Sequence, residues 1–428
     1  MATAPTTVEP VARRTARLLS WTFVLLILIP ATMELLGGPS KVAEAIRADY
    51  RRFGVQLAVG QVETHFIFDS RFARVVRPPY QQVLTAGLRQ GSERVIVGSD
   101  GWLFPRDDFD FSIRGGAIAP RREPVADDLE PPQDALELFL KKIATVSGLR
   151  RPSVPRVLKG PWLVDPITCL ADFGAQLERR GIHLLVVVVP AKTAIYPEKL
   201  SVNWSQSSGP ATPAGYREWK SRLDASRLDV VDLTEPFWTF KTSAGGPELF
   251  LEQDSHWSPA GVAMAADIVA ARIRRYVPEA IRSYATKPLT SSDGPHDLLR
   301  LLELTGLEAG LPIWPIALSQ VFEDGSLARI DDPAAPILLF GDSMTAYYDD
   351  PNEPDGGTGA GFAAQLMLRL GQPIQRFSRP GGGADLVRDT LRADPGLLKG
   401  RQIVVWELVM RGLANNKLYS LIPIDAGR

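Results

Sequence analysis

From about residue 160 onward, apolar positions follow a repeated order of short apolar runs alternating with longer periodic segments. Ile182 to Val189 is a β-branched run, the pattern of a strand buried on both faces. Leu228 to Leu233, Ile337 to Phe340, Pro373 to Phe377 and Gln402 to Leu408 read as further strands. Between them, Leu170 to Arg180, Gly361 to Leu370 and Ala384 to Arg392 suit helices, the first ended by Gly181. Ser258 and Pro259 form an N-cap and first-turn pair, and Val262, Ala266, Val269 and Ile273 then recur at helical spacing, giving one buried face. Alternating strands and helices imply an α/β fold, a parallel sheet with helices on both faces.

The N-terminal part follows another pattern. Met1 to Arg17 is polar, with Arg13, Arg14 and Arg17 against one acid, Glu9. An apolar run then extends from Leu18 to Met33, and to Leu36 if Glu34 sits at an interface. It is close to the length of a spanning helix, and its basic flank places the N-terminus in the cytoplasm and the bulk outside. A cleaved signal peptide is the alternative; no convincing small-x-small site follows the run, so an uncleaved anchor over 18–36 is the preferred reading. Residues 37–90 then form a membrane-proximal segment, with a short amphipathic helix over Lys41 to Phe53, and 91–428 the main domain. Arg94 to Gly98 reads as a strand entering a turn before Asp100-Gly101-Trp102-Leu103-Phe104. Residues 105–160, rich in Pro, Asp and Arg, predict loops and one helix near Pro132 to Thr145. Residues 349–360 predict a mobile loop, and the stretch around 287–330 gives no clear assignment.

Composition narrows the chemistry. With 48 basic and 49 acidic residues the net charge is -1, which gives no support to a nucleic-acid groove. The single cysteine, Cys169, excludes an intrachain disulfide and a multi-Cys metal site, and four histidines make a His-rich metal centre a poor expectation. No cofactor or metal is expected.

Two short motifs carry the candidate chemistry. Gly341-Asp342-Ser343 follows the apolar run ending at Phe340, so Ser343 falls just past the carboxyl end of a strand, where ligands collect in open α/β sheets. A hydroxyl there is exposed beside backbone N–H groups able to hold an oxyanion. Asp254-Ser255-His256-Trp257 precedes the helix begun by Pro259. Two residues apart, Asp254 and His256 project to one side of an extended segment or meet across a turn, so the carboxylate can fix the imidazole and leave its other nitrogen for the Ser343 proton. Either motif alone also reads as a turn or a helix cap. Trp257 reads as packing.

These motifs, with Asp100-Gly101-Trp102-Leu103-Phe104, Pro190-Ala191-Lys192-Thr193-Ala194-Ile195-Tyr196-Pro197 and Val404-Val405-Trp406-Glu407, resemble the alginate O-acetyltransferase family of periplasmic SGNH-hydrolase-like proteins. The resemblance spans roughly residues 95–411. Ordinary SGNH hydrolases place Ser first and Asp-His last; the reversed order here is similar to that family and to a circular permutation of the fold. The resemblance implies a Ser343/His256/Asp254 triad carrying acetyl on Ser343 and passing it to a hydroxyl of an exported, alginate-like polysaccharide. It also implies a membrane-bound O-acyltransferase as acetyl supplier, a periplasmic location and attachment to the inner membrane. No clear Gly-x-Asn oxyanion block is present; the Ser343 and Gly381 backbones are the candidate donors, Gly381 equally readable as plain loop. Lys192, Tyr196 and Arg411 are candidate substrate contacts, each of them a residue type that more often serves at the surface or in packing, and Glu407 is a candidate buried acid. A carbohydrate acetylesterase uses the same triad with water as acceptor. A non-catalytic subunit of a polysaccharide-export complex is the reading from another class. A glycosidase built on Asp254 and Asp342 leaves His256 and Ser343 without a purpose.

Overall fold

The computed structural model describes residues 70–115, 165–291, 296–302, 304, 315–350, 357–378, 383–414, 419 and 421–424, with positions 15, 18–22, 24, 28, 29, 32 and 33. Two compact units are present, Met1–Ser92 with Leu299–Leu311, and Glu93–Leu298 with Pro312–Arg428.

In the first unit, helix α1 (Arg71–Gln82) begins at Ser70, whose side chain accepts from the Ala73 N–H. Leu18, Leu19 and Trp21 are helical and exposed. Among the described residues no helix is long and apolar enough to cross a membrane. Positions 23, 25–27, 30, 31 and 34–36 of the anchor expected over 18–36 lie outside the described residues, and the helices expected over Lys41 to Phe53 and Pro132 to Thr145 lie wholly outside them.

The second unit is built on five parallel strands: β3 (His183–Val189), β4 (Asp229–Asp232), β8 (Ile337–Gly341), β9 (Ile374–Ser378) and β10 (Ile403–Val409). Their order is β4-β3-β10-β8-β9, every neighbouring pair parallel. The last strand in sequence therefore occupies the centre. Register aligns Trp406 with Val186 on one side and Phe340 on the other.

Side-chain alternation divides the strands between two cores. Leu185, Val187, Leu339 and Val405 join a cluster with Val262, Ala266, Val269 and Ile273 of α7 (Pro259–Ile273) and with Phe362 and Leu366 of α10 (Phe362–Leu370). Leu184, Val186, Leu338, Phe340, Val404 and Trp406 join the opposite cluster with Leu170, Phe173 and Leu177 of α3 (Pro166–Glu178). Both faces are covered, which is why these strands read as unbroken apolar runs rather than as alternation.

Capping fixes the helix starts. Ser258 Oγ accepts from the Gly261 N–H at 3.1 Å, with Pro259 at the first position of α7. Asp165 accepts from the Ile167 N–H at 2.9 Å, so α3 begins at Pro166, four residues before the apolar periodicity suggests. Asp349, at the start of the loop expected to be mobile, is instead buried: its carboxylate accepts from the N–H groups of Gly361, Ala363 and Ala364 and caps α10. Residues 351–356 of that loop lie outside the described ones.

Two smaller pairings complete the unit. β1 (Val95–Val97) and β2 (Leu103–Pro105) form an antiparallel hairpin turning through Asp100 and Gly101, both at positive φ. β5 (Ala285–Ser291), β6 (Ile316–Glu323) and β7 (Ser326–Leu327) form an antiparallel sheet in the stretch the sequence left unassigned. Pro288 inside β5 and largely exposed positions on both β5 and β7 erase the pattern that identifies a strand.

Leu339 is fully buried in a strand flanked on both sides. Leu339→Ala is expected to lower unfolding free energy by about 2–5 kcal/mol, read from the midpoint of urea denaturation at unchanged slope.

Candidate active site

The carboxyl ends of the parallel strands deliver the residues of interest. β8 ends at Gly341, and the chain turns directly into the short helix α9 (Ser343–Ala346). Asp342 caps it, accepting from the Met344 N–H at 2.8 Å, so Ser343 opens the turn and is half-buried. The turn admits no side chain at 341: a Cβ there meets Thr345 Oγ1 at 2.0 Å and Glu407 Oε2 at 2.6 Å. Glu407, on β10, holds the turn from below by accepting from the Asp342 N–H at 3.2 Å and the Thr345 hydroxyl at 3.0 Å. Complete burial, with the Asp342 charge beside it, pushes the Glu407 carboxyl well above the usual range.

Asp254 and His256 meet across the turn before α7. Asp254 Oδ1 lies 2.6 Å from His256 Nδ1 and accepts from the His256 backbone N–H at 2.9 Å. Asp254 Oδ2 accepts from the Asp297 N–H at 3.0 Å and the Tyr347 hydroxyl at 2.9 Å. Burial alone raises an acid, but the imidazole and the two backbone N–H groups hold Asp254 well below the usual carboxylate range. Burial likewise opposes charge on His256; the Asp254 carboxylate, aided by Asp297 and Asp342, outweighs it and raises the imidazole above its ordinary value. His256 Nε2 is buried and has no hydrogen-bond partner.

Tyr347 links this pair to the Ser343 turn. Its ring stacks on His256 at 4.0 Å with 8° between planes, and its N–H donates to Ser343 O at 2.9 Å. The structure thus joins Asp254 to His256 and places Ser343 one helical turn from the residue stacked on that imidazole. No hydrogen bond joins Ser343 Oγ to His256 Nε2.

Asp297, at the start of α8 (Asp297–Leu301), is a site residue with no motif to announce it. Its carboxylate accepts from the Ser255 N–H at 2.7 Å and from the Ser255 hydroxyl, while its own N–H serves Asp254. Burial and the Asp254 charge push it up to about 6. Asp254, His256 and Asp297 bring ligand-type atoms within 4.8 Å of one another. Each carboxylate oxygen of the group is already bonded to an N–H or O–H, the arrangement of an orienting network rather than of an ion cage.

The three expected substrate contacts separate. Lys192 is fully buried, and its Nζ donates to the carbonyls of Leu103, Glu252 and Asp254 at 2.6, 2.9 and 3.0 Å. Desolvation draws the Lys192 ammonium down to about 7, against the pull of Asp254, Asp297 and Asp108. Tyr196 is equally buried and its hydroxyl accepts from the Leu249 N–H at 2.7 Å. Both expectations are corrected: these side chains bind backbone near the Asp254 loop and present nothing to a substrate. Arg411 differs. It pairs with Asp108 at 2.8 Å, its side chain is 26% exposed, and its charge reaches both Asp342 and Glu407. Asp108, unmarked in the sequence, also accepts from the Lys192 N–H at 2.7 Å. Gly381 lies outside the described residues.

A family model described as "SGNH hydrolase-like domain, acetyltransferase AlgX" matches residues 163–410, more than half of the chain. The chain belongs to this family. Among curated relatives, a probable alginate O-acetylase AlgJ of Pseudomonas fluorescens is 28% identical over 264 residues, covering 58% of this chain and 61% of that one. A protein of the same description from Pseudomonas syringae pv. tomato is 24% identical over 348 residues, 78% of this chain and 73% of the other. The solved structure of Pseudomonas aeruginosa AlgX shares the fold at a TM-score of 0.50, with 16% identity, covering 79% of this chain and 69% of AlgX.

Because Asp254 is the main source of the raised His256 affinity for protons, Asp254→Asn is expected to lower the His256 pKa. A pH titration of the imidazole 15N resonances reads this directly. In the parent chain the pair contributes fully between about pH 3.9 and 6.5, the unfolded carboxylate and imidazole values; its contribution falls as pH rises through the raised imidazole value and as pH drops through the lowered carboxylate value.

Proposed function

We propose that this chain is an O-acetyltransferase that carries acetyl on Ser343 and delivers it to hydroxyls of an exported polysaccharide. The observation that carries the reading is the buried Asp254–His256 pair, its Nε2 unpartnered, lying against the helix that Ser343 opens in a chain of an acetyltransferase family. The relatives' names point to alginate, a polyuronate, as the kind of polymer concerned.

In this reading Ser343 Oγ attacks the carbonyl carbon of an acetyl donor while His256 Nε2 takes the hydroxyl proton. The donor's leaving group departs with that proton, and the acetyl ester remains on Ser343. A sugar hydroxyl then gives its proton to His256 and attacks the ester carbonyl carbon; the Ser343 Oγ–acyl bond breaks, and Oγ leaves with that proton, which restores the serine hydroxyl and the neutral imidazole. Asp254 keeps Nδ1 protonated throughout, and Tyr347, whose hydroxyl burial and the Asp254 charge hold far above its ordinary pKa, stays a neutral donor to that carboxylate. The Ser343 N–H, with Gly381 as its expected companion, faces the developing oxyanion. Arg411, partly exposed beside Asp342, is the retained candidate for contact with substrate. His256 Nε2 has no other hydrogen-bond partner, so in this reading it is free to take the Ser343 hydroxyl proton.

The same reading places the main unit in the periplasm, held to the inner membrane by an uncleaved helix over 18–36, with a membrane-bound O-acyltransferase as acetyl supplier. The basic flank of Arg13, Arg14 and Arg17 supports that orientation.

Incubating the purified chain with a chromogenic acetyl ester and a glycan, and following acetyl by mass spectrometry, tests the chemistry. Ester on the glycan is expected with the parent chain and a loss of about 10³-fold or more with Ser343→Ala; ester cleavage that never yields acetylated glycan across a range of acceptors marks an acetylesterase. For attachment, the full chain is expected to stay with membranes after alkaline carbonate washing, and to leave them when Leu25 and Leu28 are each replaced by Arg.

A further inference from the structure

One helix of the first unit exposes its large apolar residues and buries small and polar ones. α1 runs from Arg71 to Gln82 and continues through a π-helical turn, Val83–Gly87. At about 100° per residue, Val75, Val76, Pro79, Tyr80 and Val83 share one arc of roughly 140°. Val75, Val76, Tyr80 and Val83 are 63, 42, 61 and 66% exposed, and Pro79 is exposed with them. The side turned inward carries Ala73, Pro78 and Gln81. A helix packed for stability alone does the reverse, burying its valines and exposing its glutamine. An exposed apolar face of this kind, rimmed by polar residues, marks a surface that meets an apolar partner.

Charge and position say what that partner is. From Ser70 to Ser92 the chain carries Arg71, Arg74, Arg77 and Arg89 and no Asp or Glu. On the helix, Arg71 falls about 40° before the apolar arc and Arg77 about 60° beyond it. Side chains so placed lay their stems on apolar surface and hold their charge at its edge. Tyr80, within the arc, has the amphipathic ring that suits a boundary between apolar and wet. An apolar centre with a cationic rim is the complement of a bilayer surface bearing anionic headgroups. The helix also begins in the right place. Arg71 Nη1 donates to Met33 O at 3.3 Å, and Met33 closes the apolar run that starts at Leu18. With that run in a bilayer, its end lies at the interface, and α1 starts beside it.

We propose that α1 lies in the membrane surface, with Val75, Val76, Tyr80 and Val83 among the acyl chains and its arginines on anionic phospholipid headgroups. The inference rests on the anchored reading for the presence of the bilayer, and it is independent of the acetyl chemistry.

The full chain, reconstituted in vesicles of phosphatidylglycerol and phosphatidylcholine in equal parts, tests the inference. Cys169 is the only cysteine and is buried, so one cysteine introduced on α1 takes an environment-sensitive dye selectively. Val83→Cys, on the apolar face, is compared with Gln82→Cys, exposed about 100° away. Quenching by lipids brominated in their acyl chains is expected to be about threefold stronger at position 83 than at position 82. It is expected to fall about twofold or more in vesicles of phosphatidylcholine alone. Val76→Glu with Tyr80→Glu, at exposed positions where folding is not at stake, is expected to return the dye at position 83 to its emission in water. Equal quenching at the two positions, quenching unchanged without phosphatidylglycerol, or quenching that survives the two glutamates overturns the surface helix. So does a dye at position 83 that is shielded from water yet untouched by brominated lipid, as a protein partner or a second copy would leave it. An alkaline carbonate wash separates this from the anchor. A chain that stays with the vesicles but shows no quenching at position 83 keeps the anchor and removes the surface helix; a chain quenched there before the wash and then stripped by it does the opposite.

Discussion

A fully buried carboxylate is tolerable only when its charge is answered on every side, and the candidate site of this molecule is arranged around that requirement at Asp254. Its two oxygens receive the His256 ring and backbone N–H, the Asp297 N–H and the Tyr347 hydroxyl. Each partner comes from a different stretch of chain: the turn before α7, the start of α8 and the end of α9. Satisfying one charge therefore brings three segments together, and the imidazole is oriented as a by-product. Lys192 contributes from behind by fixing the backbone of the same loop through the Glu252 and Asp254 carbonyls.

The Ser343 turn is organised by a different device. Glu407 reaches across from β10 and accepts from the Asp342 and Thr345 donors, so the central strand sets the pose of the turn that follows its neighbour. Gly341 is the position where that arrangement leaves no room for a Cβ. The stacking of Tyr347 on His256 is the physical link between the two devices. Neither half depends on a loop of free conformation, which suits a site whose groups need to be held within a fraction of an ångström.

Much of this was legible in the chain before any coordinates. The three inner strands β3, β8 and β10 announced themselves because both faces are covered, and α7 because Ser258 and Pro259 sit where a cap and a first turn belong. The Asp254–His256 contact followed from spacing alone. The antiparallel sheet of β5 to β7 was illegible because exposure and Pro288 dissolve its periodicity. Asp297 was illegible for a deeper reason: its role depends on a backbone N–H and on Ser255, and no residue-type pattern encodes either. Lys192 and Tyr196 were misread because a charged or hydroxylated side chain beside a motif looks the same in sequence whether it faces a ligand or a carbonyl. Tyr347 did carry a signal, four residues after Ser343 on one helical face, that went unused.

The central place of β10 has a temporal meaning. β3 and β8 never touch; each pairs with β10 on one of its edges. Until residues 403–409 are available, the two halves of the sheet are separate pieces with bare edges, β3 with β4 and β8 with β9. Assembly must wait for sequence-distant partners, a slow class of closure. A chain emerging from its N-terminus thus cannot complete this sheet until nearly all of the sheet's sequence has been delivered.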